Sequence, residues 1–401
     1  MTPTDRLYYT DALRTTFDAI VVSAVVVDGQ PHVTLDATAF YPSSGGQPFD
    51  TGTLGGRQVV DVRDGADGLV AHVLDGPLDV GQAVSGVIDW PRRFDHMQQH
   101  TGQHILSAAF EHTCGARTES VHLGTTSCTI DLAREVSARE IAAAEDRAAA
   151  VVFEDRPVRV RFVSEQEAAT LPLRKDPSRA GTIRLVEVDD FDLSACGGTH
   201  VPSTGRVGMI AVTGWERFKG GSRVAFACGH RALAEHGRLR DLVTELVRQM
   251  TVAPADLGST VERLQSEARR HVKTIRLLRE EAAGHEAVAL VAAAERVGTF
   301  RRVITSRPGW EMGALKTLAS AIVAHSGCVA VIAGHDTPVS EGTPVSLVVA
   351  RSADVSFDSG AWVKRVTTEL GGRGGGRSES AQGVVSVPLD KVLTFARATV
   401  Q

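Results

Sequence analysis

HTGQH at residues 100–104 and CGGTH at residues 196–200 each carry two metal-ligating side-chain types four residues apart. A long stretch of chain separates the pairs, so any fold that brings them together is tightly constrained. Tetrahedral centres commonly combine two short-spaced pairs from separate elements, and imidazole and thiolate both suit zinc. The first pair opens a segment of helical patterning, where residues i and i+4 project from one face. In the second, Gly197 and Gly198 allow a tight turn that aims Cys196 and His200 at one point. His100, His104, Cys196 and His200 are therefore expected to hold one Zn2+ per chain. HTGQH lacks the glutamate that serves as general base in HExxH peptidases, which argues against a zinc peptidase. Thr101 and Gln103, on the ligand turn, are expected to line any cleft there and are the catalytic candidates. Spacing leaves open whether His200 binds permanently or gives way to water or substrate.

The patterning around these pairs predicts a multidomain α+β protein in four parts. Residues 1–92 read as short β-rich runs broken by Asp-Gly and Gly-Gly turns, such as Asp28 and Gly29, which suggests a small β-barrel. Residues 93–232 alternate helix and strand: a helix from Phe94 to His112, a second headed by the Ser137/Glu140 capping box, and strands near VRVRFV, TIRLVEV and GMIAVTGWERF. Residues 233–297 carry helical apolar stripes, including Leu239, Leu242, Val243 and then Val261, Leu264, Ile275, interrupted by Pro254, and predict a two-helix arm. Residues 298–401 alternate again and read as a small α/β domain. Its unusual segment is GGRGGGRSES, from Gly371 to Ser380.

With 401 residues, 43% hydrophobic and 23% charged, the composition is that of a soluble globular protein. Five scattered cysteines argue against a disulfide framework, and no apolar run is long enough to span a bilayer. The N-terminus lacks the pattern of a signal peptide, so no membrane association and a cytoplasmic location are expected. Net charge is −5, yet Arg156, Arg159, Arg161, Arg174, Lys175, Arg179 and Arg184 outnumber Glu165, Glu167 and Asp176 within 156–184. Such a cluster is either a solvated face or a surface that tracks phosphates.

Several stretches, in order, carry a resemblance. QQHTGQHILSAAF followed by CGGTHV resembles the editing domain of alanyl-tRNA synthetase and of the AlaX alanyl-tRNA editing proteins. DATAFYPSSGGQPFDTGTL, ESVHLGTTSCTIDL and FKGGSRVAFACGHRAL are similar to further segments of that family. ELGGRGGGRSESAQG resembles the DHH-associated C-terminal domain of alanyl-tRNA synthetases and long AlaX proteins.

The resemblance implies hydrolysis of the aminoacyl ester of Ser-tRNA(Ala), with Gly-tRNA(Ala) as a second error substrate. The chain begins at the small β region and shows no P-loop, from which a stand-alone editor is expected. The resemblance also implies tRNA binding and a homodimer through the arm and C-terminal domain. Ser44, Gly45 and Gly46 match the glycine motif of the substrate pocket, with Ser44 standing where Gly is common. Thr118 and Ser120 are candidates for the pocket wall, and Arg223 for the terminal nucleotide phosphate. Arg174, Lys175, Arg373 and Arg377 are candidates for tRNA contact; backbone N–H groups of the glycine run could approach phosphate between the last two. The base could be hydroxide, a neighbouring side chain or the ribose's own hydroxyl. A non-catalytic tRNA-binding protein with a structural zinc is the competing reading. A DHH-type phosphoesterase lacks its catalytic tripeptide here.

Overall fold

A computed structural model describes residues 2–65, 67–175, 181–335 and 344–401. The chain forms two compact units, 1–246 and 247–401. Among the described residues no helix is long and apolar enough to cross a membrane.

The first unit opens with a closed six-stranded barrel. Around the barrel the strands run Thr16–Val27, Gln30–Leu35, Val70–Leu74, Arg57–Asp64, Gly52–Leu54 and Ala83–Ile88, and the last pairs back onto the first. Closure leaves no free edge. The period-2 alternation of Phe17, Ala19 and Val21 points these side chains inward, where they meet Val33, Leu35, Phe40, Leu54 and Val62.

After the barrel comes helix α1, Trp90–Cys114. It starts before Phe94 and ends after His112, because its caps lie outside the expected span. The Asp89 side chain accepts the Arg92 N–H, Pro91 occupies the first turn, and Gly115 in the left-handed region ends the helix. Sixteen of its residues are buried on all sides, including polar ones. Gln99 explains how polar groups are tolerated there: its amide donates to the Cys228 carbonyl at 3.0 Å and accepts the Cys228 N–H at 2.9 Å. Helix α2, Ala138–Phe153, carries the reciprocal Ser137/Glu140 capping box.

The two helices pack beside a four-stranded antiparallel sheet ordered Ile210–Phe218, Gly221–Cys228, Cys128–Leu132, Thr118–Leu123. A second sheet contains Val158–Val163, Ile183–Val188 and Asp192–Ala195. Arg93 ties α1 to the barrel segments. Wholly buried, it forms an ion pair with buried Asp50, with Nε to Oδ1 at 2.9 Å, and donates to the Ala12 and Ala39 carbonyls.

Helices Gly229–Met250 and Leu257–Ala292 occupy the predicted arm, with the break at Pro254. Leu239, Leu242, Leu264 and Ile275 from its apolar stripes are exposed. The second unit contains a six-stranded sheet ordered Glu295–Val297, Phe300–Ser306, Cys328–Gly334, Val345–Arg351, Ser380–Val385, Gly372–Gly376. The sheet is mixed: only Phe300–Ser306 and Cys328–Gly334 run parallel, so strand order departs from a simple α/β alternation. The glycine run is not a loop. Gly372–Gly376 is a strand paired antiparallel with Ser380–Val385; exposed Arg373 lies within that ladder opposite Val384, and exposed Arg377 follows its last residue.

Candidate metal centre

Helix α1 presents His100 and His104 one turn apart, and the loop after strand Asp192–Ala195 brings Cys196 and His200 to them. One ligand atom from each of the four residues lies within 4.8 Å of the others. Cys196 Sγ is 3.3 Å from His100 Nε2 and 3.4 Å from His200 Nε2. Bonds of about 2.3 Å to sulfur and about 2.0 Å to nitrogen put S and N roughly 3.5 Å apart in a tetrahedral centre, so the donor set and its spacing fit a metal ion of that kind. The histidines are buried, and Cys196 is the most open of the four.

Each imidazole is oriented from behind through its other nitrogen. His100 Nδ1 lies 2.8 Å from Gln47 Oε1, His104 Nδ1 lies 2.9 Å from Asp192 Oδ2, and His200 Nδ1 lies 3.2 Å from Thr101 Oγ1. Such partners fix ring orientation and leave each Nε2 for a metal. Asp192 is held in turn by Arg174, with Nε to Oδ1 at 2.5 Å, and by the Ser194 hydroxyl. Burial alone would raise the Asp192 carboxyl, but His104 and Arg174 outweigh it and hold the group well below its ordinary range. Burial lowers His104, yet its hydrogen bonds to Asp192 and Cys196 win and raise it to about 9. His200 is pushed down to about 3 by burial and by His100. The Cys196 thiol is raised by burial but drawn well below its usual value by His100 and His200, which favours the thiolate a metal needs.

Glycine acts here through space. Neither Gly197 nor Gly198 takes a left-handed backbone, so the loop that converges Cys196 and His200 does not draw on that freedom. A Cβ on Gly198 would instead lie 2.1 Å from His100 Cε1, so only glycine lets the loop pass under that ring.

Other expected site residues fall in different places. Thr101 is fully buried, and its hydroxyl accepts the Val201 N–H at 3.1 Å besides facing His200, so it braces the centre rather than lining a cleft. Gln103, also buried, donates to Ser107 Oγ at 2.9 Å, and the Thr118 hydroxyl donates to the same oxygen. Ser44, Gly45 and Gly46 form a two-residue hairpin turn with Gln47, and the Gly46 carbonyl accepts the Leu123 N–H at 3.2 Å. Ser120 is exposed and bonds Asp131, which also takes both ends of the Arg223 guanidinium at 2.7 and 2.9 Å; Arg223 further stacks over Phe218. Arg223 is thus committed within the sheet.

The basic cluster disperses in the same way. Arg174 serves Asp192, and Arg184 is buried with Nη1 donating to the Cys196 carbonyl at 2.6 Å. Arg156 and Arg159 pair with Glu154 and Asp189, and Arg161 lies 3.9 Å from Glu187. Lys175 is exposed, while Asp176 and Arg179 lie outside the described residues. The positive count of this segment therefore does not amount to a continuous phosphate-tracking surface among the described residues. Gln47 and Asp192 are site residues that the sequence reading does not name; Gln47 stands inside the quoted SSGGQP stretch, and Asp192 stands four residues before Cys196.

The chain carries two family matches: the threonyl and alanyl tRNA synthetase second additional domain over residues 183–225, and the DHHA1 domain over 297–401. It is 33% identical to the alanine–tRNA ligase of Pyrococcus furiosus over 95% of its own length, and spans 42% of that ligase. It is 30% identical to the alanyl-tRNA editing protein AlaX-L of Pyrococcus horikoshii, covering 98% of this chain and 97% of that protein. These matches define a relative of the editing and C-terminal regions of alanyl-tRNA synthetase. Within that class, the chain belongs to the AlaX-L family of alanyl-tRNA editing proteins.

Proposed function

We propose that the chain hydrolyses the ester linking a wrong amino acid to tRNA(Ala), with Ser-tRNA(Ala) as the main substrate and Gly-tRNA(Ala) as a second. The observation that carries this reading is the converged His100, His104, Cys196 and His200 set in a chain that aligns end to end with an AlaX-L protein. The physical need is clear: a pocket built for alanine cannot exclude glycine by size and discriminates weakly against one added hydroxyl, so a second hydrolytic sieve is useful. Zn2+, when bound, would polarise the ester carbonyl or a water.

The chain's own residues do the rest. Gln47, Asp192 and Thr101 hold the three imidazoles in register. Gln103 is anchored through its amide nitrogen, which gives its Oε1 to the substrate's amino group or to water. Thr118, bonded to the same Ser107 oxygen, forms the adjoining wall, and the Ser44–Gly46 turn meets the other end of the Thr118 strand at Leu123. Ser120 and Arg223 contribute only through their shared Asp131. Arg373 and Arg377, with Lys175, are the exposed cations assigned to tRNA phosphates. The parts involved are barrel 1–92, core 93–232, arm 233–297 and C-terminal domain 298–401, with a second copy meeting the arm's exposed stripes.

The test is deacylation of Ser-, Gly- and Ala-tRNA(Ala) in parallel by wild type and His104→Ala. Ser-tRNA(Ala) should be cleaved and Ala-tRNA(Ala) spared, with turnover lost in the variant. Equal rates on all three would refute selective editing. Tight tRNA binding without turnover would favour the non-catalytic reading, which four protein ligands in a closed tetrahedron also suit.

A further inference from the structure

Of the three groups that orient the imidazoles, two belong to the core itself: Thr101 lies on α1 and Asp192 on the strand that leads to Cys196. The third, Gln47, comes from the barrel segment, and its side chain is 1% exposed. It hydrogen-bonds both to His100 on α1 and to Thr199 in the metal loop. Oε1 faces His100 Nδ1 at 2.8 Å and accepts the Thr199 N–H at 3.2 Å, while Nε2 donates to Thr199 Oγ1 at 2.8 Å. One residue earlier, the Gly46 carbonyl is fixed to the Leu123 N–H of the core sheet. Ser44 and Gln47 exchange both backbone hydrogen bonds across the two glycines, so the turn moves as one piece with Gln47.

We infer that Gln47 is a positioning residue through which the barrel completes the metal centre, so that metal binding and docking of the 43–48 turn onto the core are thermodynamically linked. This inference rests on the reading of His100, His104, Cys196 and His200 as metal ligands. The argument is one of reciprocity. Gln47 accepts from His100 only when the proton sits on Nδ1, which is the tautomer that leaves Nε2 free for a metal. A docked turn therefore favours metal, and bound metal must favour the docked turn by the same factor. An undocked turn would also leave buried donors on Thr199 and His100 without partners, which is costly. The barrel thus serves the centre directly, beyond its expected part in forming a substrate pocket.

The experiment uses the full chain, stripped of metal, with Zn2+ alone as the probe. Zinc affinity is measured by competition with a chromophoric chelator, and hydrogen exchange of residues 43–48 and 118–123 is followed with and without zinc. Wild type should bind zinc and show slowed exchange in both segments, although neither contains a ligand. Gln47→Met keeps the side-chain volume but removes the acceptor and donor. It should lose about 10–100-fold in zinc affinity, the range typical for partners of metal-bound histidines, and lose the zinc-induced protection of 43–48. Gln47→Glu restores the acceptor for His100 and can accept from the Thr199 hydroxyl, so it should recover wild-type affinity or better. A Gln47→Met protein that binds zinc like wild type, or wild-type 43–48 exchange indifferent to zinc, overturns the linkage while leaving the metal centre intact. Loss of affinity in Gln47→Glu equal to that in Gln47→Met reduces the residue to a space-filling role and also overturns it. Failure of wild type to bind zinc at all overturns the metal reading, and the linkage with it.

Discussion

SSGGQP in the barrel segment and GGRGGG at the start of the C-terminal hairpin look alike as strings, yet apart from Gly371, whose φ is +71°, their glycines answer different needs. Gly45 and Gly46 have φ of +58° and +87°, and the two-residue turn they form requires that left-handed backbone. Space is secondary at Gly45, where a Cβ would meet nothing within 4 Å, and adds to the demand at Gly46, where a Cβ would lie 3.2 Å from the Val121 carbonyl oxygen. In the C-terminal strand the backbone is extended, and the constraint is contact. A Cβ on Gly374 would lie 2.7 Å from Val363 Cγ1 and from the neighbouring strand, whereas one on Gly375 would meet nothing. Gly198 in the metal loop is of the second kind, with a histidine ring in place of the neighbouring strand. Glycine in a sequence marks a demand on the backbone, and only the fold says whether that demand concerns dihedral or distance.

Substituting alanine breaks the comparison open, because it taxes dihedral and distance separately. The largest effect is expected for Gly198→Ala. The added methyl strikes a ring that Gln47 already pins, so zinc affinity should fall on the order of 100-fold in a chelator competition. Gly374→Ala should cost about 2 kcal/mol of urea stability by overpacking against Val363, while Gly375→Ala stays within about 0.5 kcal/mol. Equal losses at both positions would mean that the strand resists any side chain and not a particular contact. Gly45→Ala should be the mildest of the damaging changes, about 1 kcal/mol, with Gly45→Asn cheaper because asparagine visits the left-handed region more readily. A neutral Gly45→Ala would show that the turn can relax without its positive φ.

Local chemistry made much of the fold legible. Ser137 and Glu140 announced a helix start through a device contained in four residues, and Pro254 announced the break in the arm. Helix α1 starts four residues ahead of the expected Phe94, where Asp89 and Pro91 signal it in the same local way. The four ligands were readable because their spacing is stereotyped. Their partners were not. Gln47 precedes His100 by 53 residues and Asp192 follows His104 by 88, so nothing in the spacing links them. Arg174 and Arg184 illustrate the opposite error: a count of charges registers them as basic surface, whereas the fold spends them on Asp192 and on the Cys196 carbonyl. Arg223 reads in sequence as a candidate phosphate contact, and the Asp131 carboxylate it pairs with lies 92 residues away, out of reach of any local pattern.

The buried pair of Arg93 and Asp50 has a consequence for how the first unit comes apart. Peeling the barrel from α1 would strand a guanidinium that also serves the Ala12 and Ala39 carbonyls, and orphaning one half of a buried ion pair costs about 3–5 kcal/mol. That is a sizeable fraction of a domain's whole stability. Partial opening at this seam therefore carries a large cost of its own, and the barrel and core should behave as a single cooperative foldon rather than as two beads on a string.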